Sequence, residues 1–570
     1  MFQTSTTSSS PASSKSAEQQ ALRGGQEALQ KGDVARARSE FEKAVRLAPN
    51  DAAAQSALGW VLAALGEAPA AETHLRAAIK LKPGFVDPRL TLAGVLSQQG
   101  KIAEAEQEAR SAVKLAPQNA EAHRTLARIL NQSRGDEAIA EMRRAVELAP
   151  QRADLRDELG TILAQRNQFG EAESQFKEAL RLQPNLESAH FHSGVVQLQQ
   201  QQLDDAATEL EAAVKLAPQD ATAHYYLAKV FTAQSKSAEA LTELQKGAAL
   251  KPDWFELQIE LGIASQHAGD VDTAVEAFSA AVKLRPEDAE AYNDLGLALV
   301  QKGDAQGAVP KFKTAVQLRP NDADLLGNLA VAFLQMADFD SAVMELQAGL
   351  KLAPENASLH YNLGLAYKLK DQLDAAVREF QEAIRLQPDL ADAHYTLGIL
   401  FWQRGEFDQA VAEMQKAIQS KPDYAEAHYT LGTVYKQQEK LPEAAAELRE
   451  AIRLQPDFAG AHTTLAGVLR QMGDAAGAAE QAKEGARIVA LKNNLQAATV
   501  STNSGKRLLA AGDLDGAISQ FQSAIHAKPD YAAAHYQLGL ALQQSGKKDE
   551  AQQEFQKAAE LDPHFVTTQK

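Results

Sequence analysis

Histidine stands beside tyrosine at a fixed interval along this chain. "AHYTLG" at residues 393–398 recurs at 427–432, with close variants at 223–228, 360–364 and 534–539. Imidazoles set out in a column could ligate metal ions or serve as general bases. Eight share the column: His123, His190, His224, His360, His394, His428, His462 and His535. A shared ion needs two or more nitrogens at about 2.0–2.1 Å. Equivalent positions on stacked helices lie about 8–10 Å apart, so every pair would have to lean together. No HExxH occurs, and His190 and His192, two residues apart, point away from each other. In residues 394–401, His394, Leu397, Gly398 and Phe401 follow the i, i+3, i+4, i+7 stripe of a helix that packs. The histidines are therefore expected at the edge of an inter-helix seam, with no metal.

The elements that carry the column are set by a period. Pro49, Pro83 and Pro117 are 34 residues apart and Pro150 follows after 33; the 34-residue step then holds to Pro456, and resumes with Pro529 and Pro563. Twelve residues before each proline lies alanine (Ala71, Ala376, Ala410, Ala444), and twenty-four before it glycine or alanine (Gly364, Gly398, Gly432). Eight before it the residue is usually large, as at Phe176, Phe278, Phe312 and Phe380. Small residues let two helices approach and large ones fill the adjoining gap. A glycine such as Gly405 suits the left-handed residue that closes a helix, and the proline ends the second helix. Asp389, Asp423, Glu287 and Asn321, next after their prolines, are expected to cap the following helix. One helix pair cannot bury both faces, so neighbours stack.

This spacing resembles the tetratricopeptide repeat family over roughly residues 18 to 565, and its histidine-containing style is similar to the repeat superhelix of O-linked N-acetylglucosamine transferases. The resemblance implies an all-α, right-handed solenoid of about sixteen 34-residue units whose concave face, lined by first helices, grips peptide segments. The expected organisation is a Ser/Thr-rich disordered tail (1–17), an array of about fourteen repeats (18–490), a joint (491–497), and two further repeats with the C-terminal end (498–570). The joint is read from Ala490, which stands where proline is due, from about five extra residues, and from the weak helix former "AATVSTNSG" at 497–505. The second helix there is expected to run past its usual stop. Pro310 falls early inside a second helix, where a local kink is expected.

One residue beyond each histidine the chain turns to another face. Tyr395, Ile399 and Trp402 share it, as do Tyr361 with Leu365 and Lys368, Tyr429 with Thr433 and Lys436, Phe191 with Val195 and Leu198, and Tyr225 with Lys229; the resemblance places this stripe on the groove. Such aromatics either anchor a ligand or cover neighbouring helices. In the column where the transferase superhelix holds peptide backbone with asparagines stand Asn328 and Asn362, then Thr396, Thr430 and Thr464. Chaperone-tail clamps carry Lys and Asn on the groove stripe; here it carries Tyr with Ile, Leu or Thr, so a clamp for C-terminal carboxylates is not expected.

Composition narrows the function. The net charge is −17, from 58 Lys+Arg against 75 Asp+Glu, which argues against nucleic acid as partner. There is no cysteine, hence no thiol nucleophile or disulfide. No apolar run reaches the roughly 18–20 residues of a membrane span, and the N-terminus lacks a signal peptide's apolar core, so the cytoplasm is expected, with export or a periplasmic site as alternatives. The phosphate-loop lookalike "GVLSQQGKI" (94–102) has five residues between its glycines and Ile after Lys, where a true loop has four and then Ser or Thr. A non-catalytic scaffold for protein or peptide partners, without cofactor, is the leading expectation; self-association through the end repeats is a further option. The alternatives are the targeting subunit of a glycosyltransferase-type enzyme and an assembly factor for a cell-envelope complex.

Overall fold

Alanine and a large residue four positions apart fall on one face of a helix, and the small residue of the partner helix lies opposite. The computed structural model, which describes residues 11–565, shows this interlock unit after unit. Ala376 with Phe380, Ala410 with Met414, and Ala444 with Leu448 are fully buried. A Cβ on Gly364 would lie 2.7 Å from the Phe380 ring, so the glycine is what lets the two helices of that unit close. Among the described residues there are thirty-one α-helices, numbered α1–α31 in chain order, one 3₁₀ turn, and no strand. The fold is an all-α solenoid.

Two compact units result, one ending at Ala291 and one beginning at Tyr292, with the boundary inside α17 (Ala289–Gln301). First helices close on left-handed residues such as Gly405 (φ 76°); Glu439 (φ 60°) holds the same conformation without glycine's freedom. Pro310 lies in α18 (Ala305–Leu318), which continues through it.

Three expectations change. Of the tail expected at 1–17, residues 1–10 lie outside the described residues, while α1 (Pro11–Gln30) already begins at Pro11 and buries Ala21 and Ala28 against the next helices. Through 491–497 the second helix runs past its usual stop as expected, but it does not end there: α28 (Ala475–Ala510) spans 36 residues without a break, so it is the second helix of one repeat and the first helix of the next. "AATVSTNSG" is helical because Ala498, Thr502 and Gly505 are buried on one face, and tertiary packing overrides its weak propensity. With α28 used twice, thirty-one helices make sixteen pairs. Finally, the cap is one residue later than expected. Asp51, Asp220, Asp322 and Asn356, two residues after their prolines, accept hydrogen bonds from the first backbone N–H groups of the next helix. Asp389 and Asp423 lie one residue outside the caps, which are Leu390 and Tyr424.

Candidate functional site

Two features could do chemistry: the histidine column and the aromatic face beside it. In the histidine column each imidazole is a cross-brace. His394 Nδ1 lies 2.5 Å from Glu413 Oε2 on the second helix of its unit, and its Nε2–H donates to the carbonyl of Pro388, 3.0 Å away, at the end of the preceding unit. His123, His190, His224, His360, His428 and His535 repeat this with Glu141, Glu209, Glu243, Glu379, Glu447 and Glu554 at 2.5–2.6 Å. Their Nε2 atoms lie 3.0–3.3 Å from a proline carbonyl six residues earlier. His462 makes the same pair of contacts with Gln481 and Pro456. Both ring nitrogens thus face protein partners rather than a place for an ion. Among the described residues no group of three or more His, Cys, Asp or Glu could hold an ion.

The brace survives changes of residue type. Arg89 donates to Glu108 at 2.5 Å and to Pro83 O at 3.0 Å, and Gln258 donates to Pro252 O at 3.1 Å. In one unit the partners are exchanged: Gln55 donates to Pro49 O and His74 Nδ1 faces Gln55 Oε1 at 2.7 Å. The electrostatics follow the partner. Glu447's hydrogen bond raises the His428 imidazole above its ordinary value, although burial opposes it. His74, facing an amide, is lowered by burial. Burial pushes Glu413 up, but His394 and Lys416 outweigh it and hold the carboxyl below its usual value. Leu326 occupies the histidine position of its own unit, and Glu345, left without an imidazole, is raised by burial. The glutamate column was legible in the sequence, nine residues before the prolines, once the histidine was read as needing a partner.

The aromatic face is half-covered by its own neighbours. Tyr395 stacks on Tyr424 (ring centroids 4.9 Å apart), Tyr429 on Phe458 (4.7 Å), and Tyr225 on Trp254 (4.7 Å). Tyr424, Phe458 and Trp254 each lie two residues after a proline, where other units carry the capping Asp or Asn. That position therefore either caps a helix or lids the preceding tyrosine. Tyr424's hydroxyl donates to Asp392 at 2.9 Å; burial and that carboxylate push the phenol far above its ordinary value. Burial also raises the Tyr361 and Tyr395 hydroxyls, which bond to Thr396 and Thr430 on the next first helices.

The candidate residues divide accordingly. Phe191 and Tyr225 lie in the unit ending at Ala291. Phe191 packs edge-on against Tyr226, and Tyr225 is buried under Trp254, so Tyr225 is a packing residue and not an anchor. In the other unit, Asn328 Nδ2 donates to Asn293 Oδ1 at 2.8 Å, so that rung is occupied internally, whereas Asn362 is half-buried. Tyr361, Leu365, Tyr395, Ile399, Trp402, Tyr429 and Thr433 are all half-buried on three successive first helices: α21 (Ala357–Leu369), α23 (Ala391–Gln403) and α25 (Ala425–Gln437). Thr433's hydroxyl is spent on the Tyr429 carbonyl (2.9 Å), and Trp402 Nε1 donates to Gln437 Oε1 at 2.6 Å on α25. Each of these aromatics covers a neighbour on one side, and none is fully buried. Among the described residues no helix is long and apolar enough to cross a membrane.

No curated protein matches the chain. Among solved structures, yeast Tom70 is 16% identical with a TM-score of 0.32, over 75% of this chain and 97% of that one. MamA from Desulfovibrio magneticus RS-1 is 25% identical with a TM-score of 0.28, over 30% and 96%. YrrB, titled "a TPR protein with an unusual peptide-binding site", is 25% identical with a TM-score of 0.28, over 33% and 97%. Models described as "Tetratricopeptide repeat" or "TPR repeat" match residues 22–84, 62–129, 158–209, 193–253, 259–323, 299–366, 369–405, 400–439, 425–458 and 502–564. The unmatched stretches include the turn and second helix of the unit that is one residue short and much of the unbroken α28, the two places where the period fails. The chain belongs to the tetratricopeptide repeat family.

Proposed function

We propose that this chain is a non-catalytic scaffold that holds segments of partner proteins along the first-helix face of α21, α23 and α25. The observation that carries this reading is the half-open aromatic run of Tyr361, Tyr395, Trp402 and Tyr429, fixed from behind by Thr396, Thr430, Gln437 and the lids Tyr424 and Phe458. Aromatics pre-set on one side and open on the other bury large areas on contact at little entropic cost. The titratable groups of the histidine column are committed to holding the units together, which leaves the column no acid or base free for catalysis.

The test uses tryptophan emission. The chain has three tryptophans, so Trp60→Phe with Trp254→Phe leaves Trp402 as sole reporter. Peptides selected on the full chain from a random twelve-residue library are titrated against this variant. A shift in Trp402 emission and its protection from acrylamide are expected. Recovery of no peptide, or of peptides that leave Trp402 untouched, would refute the reading.

A further inference from the structure

The penultimate residues of four successive first helices are Lys368, Trp402, Lys436 and, on α27 (Ala459–Gln471), Arg470. Lys368 and Lys436 are half-buried. None of the three cations has an ion pair or side-chain hydrogen bond among the described residues, whereas nearby Lys370 and Arg404 pair with Asp340 and Asp374. Burial alone acts on Lys368, lowering it from its ordinary value, with no carboxylate to offset the cost. Lys436 reaches along the next first helix to within 3.5 Å of where a Cβ on Gly467 would stand, and that glycine leaves the ammonium room. A cation at a helix C-terminus gains from the helix dipole, but it gains there while exposed as well, so the dipole does not account for the burial. In a chain of net charge −17, two half-buried, unpaired lysines on either side of one half-buried indole, with the exposed Arg470 beyond, call for an anion.

Resting on the scaffold reading above, we infer that the occupant of this face is an acidic peptide segment with carboxylates on one edge and an apolar side chain between them. The positive charge lies on one edge only: the opposite, N-terminal turns of α23 and α25 carry Asp392 and Glu426. A uniformly charged nucleic-acid backbone would meet those carboxylates, whereas a peptide can turn its carboxylates to the lysines alone. Spacing sharpens the motif. Neighbouring first helices lie about 10 Å apart, and an extended chain advances about 3.3 Å per residue, so one unit corresponds to about three residues. Read along the run, the segment carries Asp or Glu opposite Lys368, an apolar residue about three positions on over Trp402, and Asp or Glu about six and nine positions on, opposite Lys436 and Arg470. The chain can run in either direction.

The twelve-residue library selected on the full chain tests this directly. Expected are peptides enriched in Asp and Glu at intervals of three, with one apolar residue inside. A synthetic copy should bind the Lys368→Gln, Lys436→Gln double variant at least about tenfold more weakly. Its affinity for that variant should also depend less on salt. Arg385→Gln, which removes a cation paired with Glu382 on a second helix, should leave binding unchanged. Peptides that shift Trp402 emission but are neutral or basic overturn the acidic assignment while sparing the scaffold reading. Undiminished binding by the double variant does the same, as does a twelve-nucleotide oligothymidylate that displaces the peptide at equal concentration. Recovery of no peptide at all sinks both.

Discussion

Alkali should loosen the unit braced by His428. That brace offers two acceptors, a carboxylate and a proline carbonyl, so it makes both bonds only when both ring nitrogens carry protons. His428 faces Glu447, the carbonyl of Pro422 and, more distantly, Glu450, itself paired with Arg453. Its raised value sets the sign. The stabilisation is complete below about 6.5, the ordinary histidine value, and is lost as pH rises through the higher folded value. What goes is one charge-assisted hydrogen bond, worth about 1.5–3 kcal/mol, and Nδ1 then turns a lone pair toward the carboxylate. Local opening of the turn that leads into α25 should therefore become about ten- to a hundredfold more frequent between pH 6 and pH 9. Hydrogen exchange resolved by peptide and corrected for intrinsic rates is the assay, because a repeat array does not unfold in one step. The chain contains its own controls. The unit of Arg89 and Glu108 should be indifferent to this pH range, since guanidinium keeps its protons. Equal loss of protection at Arg89 and His428, or an unchanged pH response in His428→Gln, would refute the account.

Leu326→His should restore a brace to Glu345, lower that carboxyl from its raised value and give its unit the same alkaline sensitivity; an unchanged exchange profile at pH 6 and pH 9 would count against it. On the acid side, Glu413 contributes stability that is present above about 4.5 and lost as pH falls through its lowered value, so exchange in its unit should rise toward pH 3, and His394→Asn should abolish that dependence. Ala410→Leu overpacks a fully buried crossing and should cost about 1–3 kcal/mol, seen as an earlier melting step by circular dichroism. Ala490→Pro should break α28, costing about 3 kcal/mol and exposing 486–494 to exchange, whereas Leu491→Glu with Leu495→Glu should leave melting unchanged because both leucines are exposed.

Most of the fold was legible because a repeat states its own columns many times. Ala376 and Phe380, or Gly364 and the positive-φ Gly405, need only be aligned on their prolines for the packing role to appear. The caps fall one residue beyond the positions the sequence suggests: Asp389 and Asp423 are as polar as the capping Asp51 and Asn356, yet the caps of their own units are Leu390 and Tyr424. A polar residue by itself does not announce which N–H it can reach. The histidine column reads as packing from its stripe alone, but its carboxylate partners sit on another helix, eighteen or nineteen residues away, and their column appears only when a partner for the imidazole is sought. Tyr225 shows the limit for the aromatic face: it has the stripe's spacing, and only the tertiary position of Trp254 distinguishes a covered ring from an open one.

The break at α28 is written into the faces that would otherwise stack. Second helices carry a half-buried aliphatic four residues before the unit's end, such as Ile384, Ile418 and Ile452, where the following first helix leans; the equivalent Ala486 is small and exposed. First helices carry a fully buried alanine (Ala393, Ala427, Ala461) where the preceding unit approaches most closely. At that place α28 has Val500, 61% exposed, whose extra bulk blocks such an approach. Leu400, Val434 and Val468 are buried against neighbours, and their counterpart is the exposed Arg507. With neither face fit to receive the other, residues 489–497 have no helix to fold back along and stay exposed, and the chain keeps its hydrogen bonds by continuing as helix. Lys492 reaches back to the Asp457 carbonyl at 3.1 Å, and Ala498 begins the next packed face against Ala524 and Ala534. The missing proline at 490 permits the long helix, but the three altered positions, Ala486, Val500 and Arg507, are what require it.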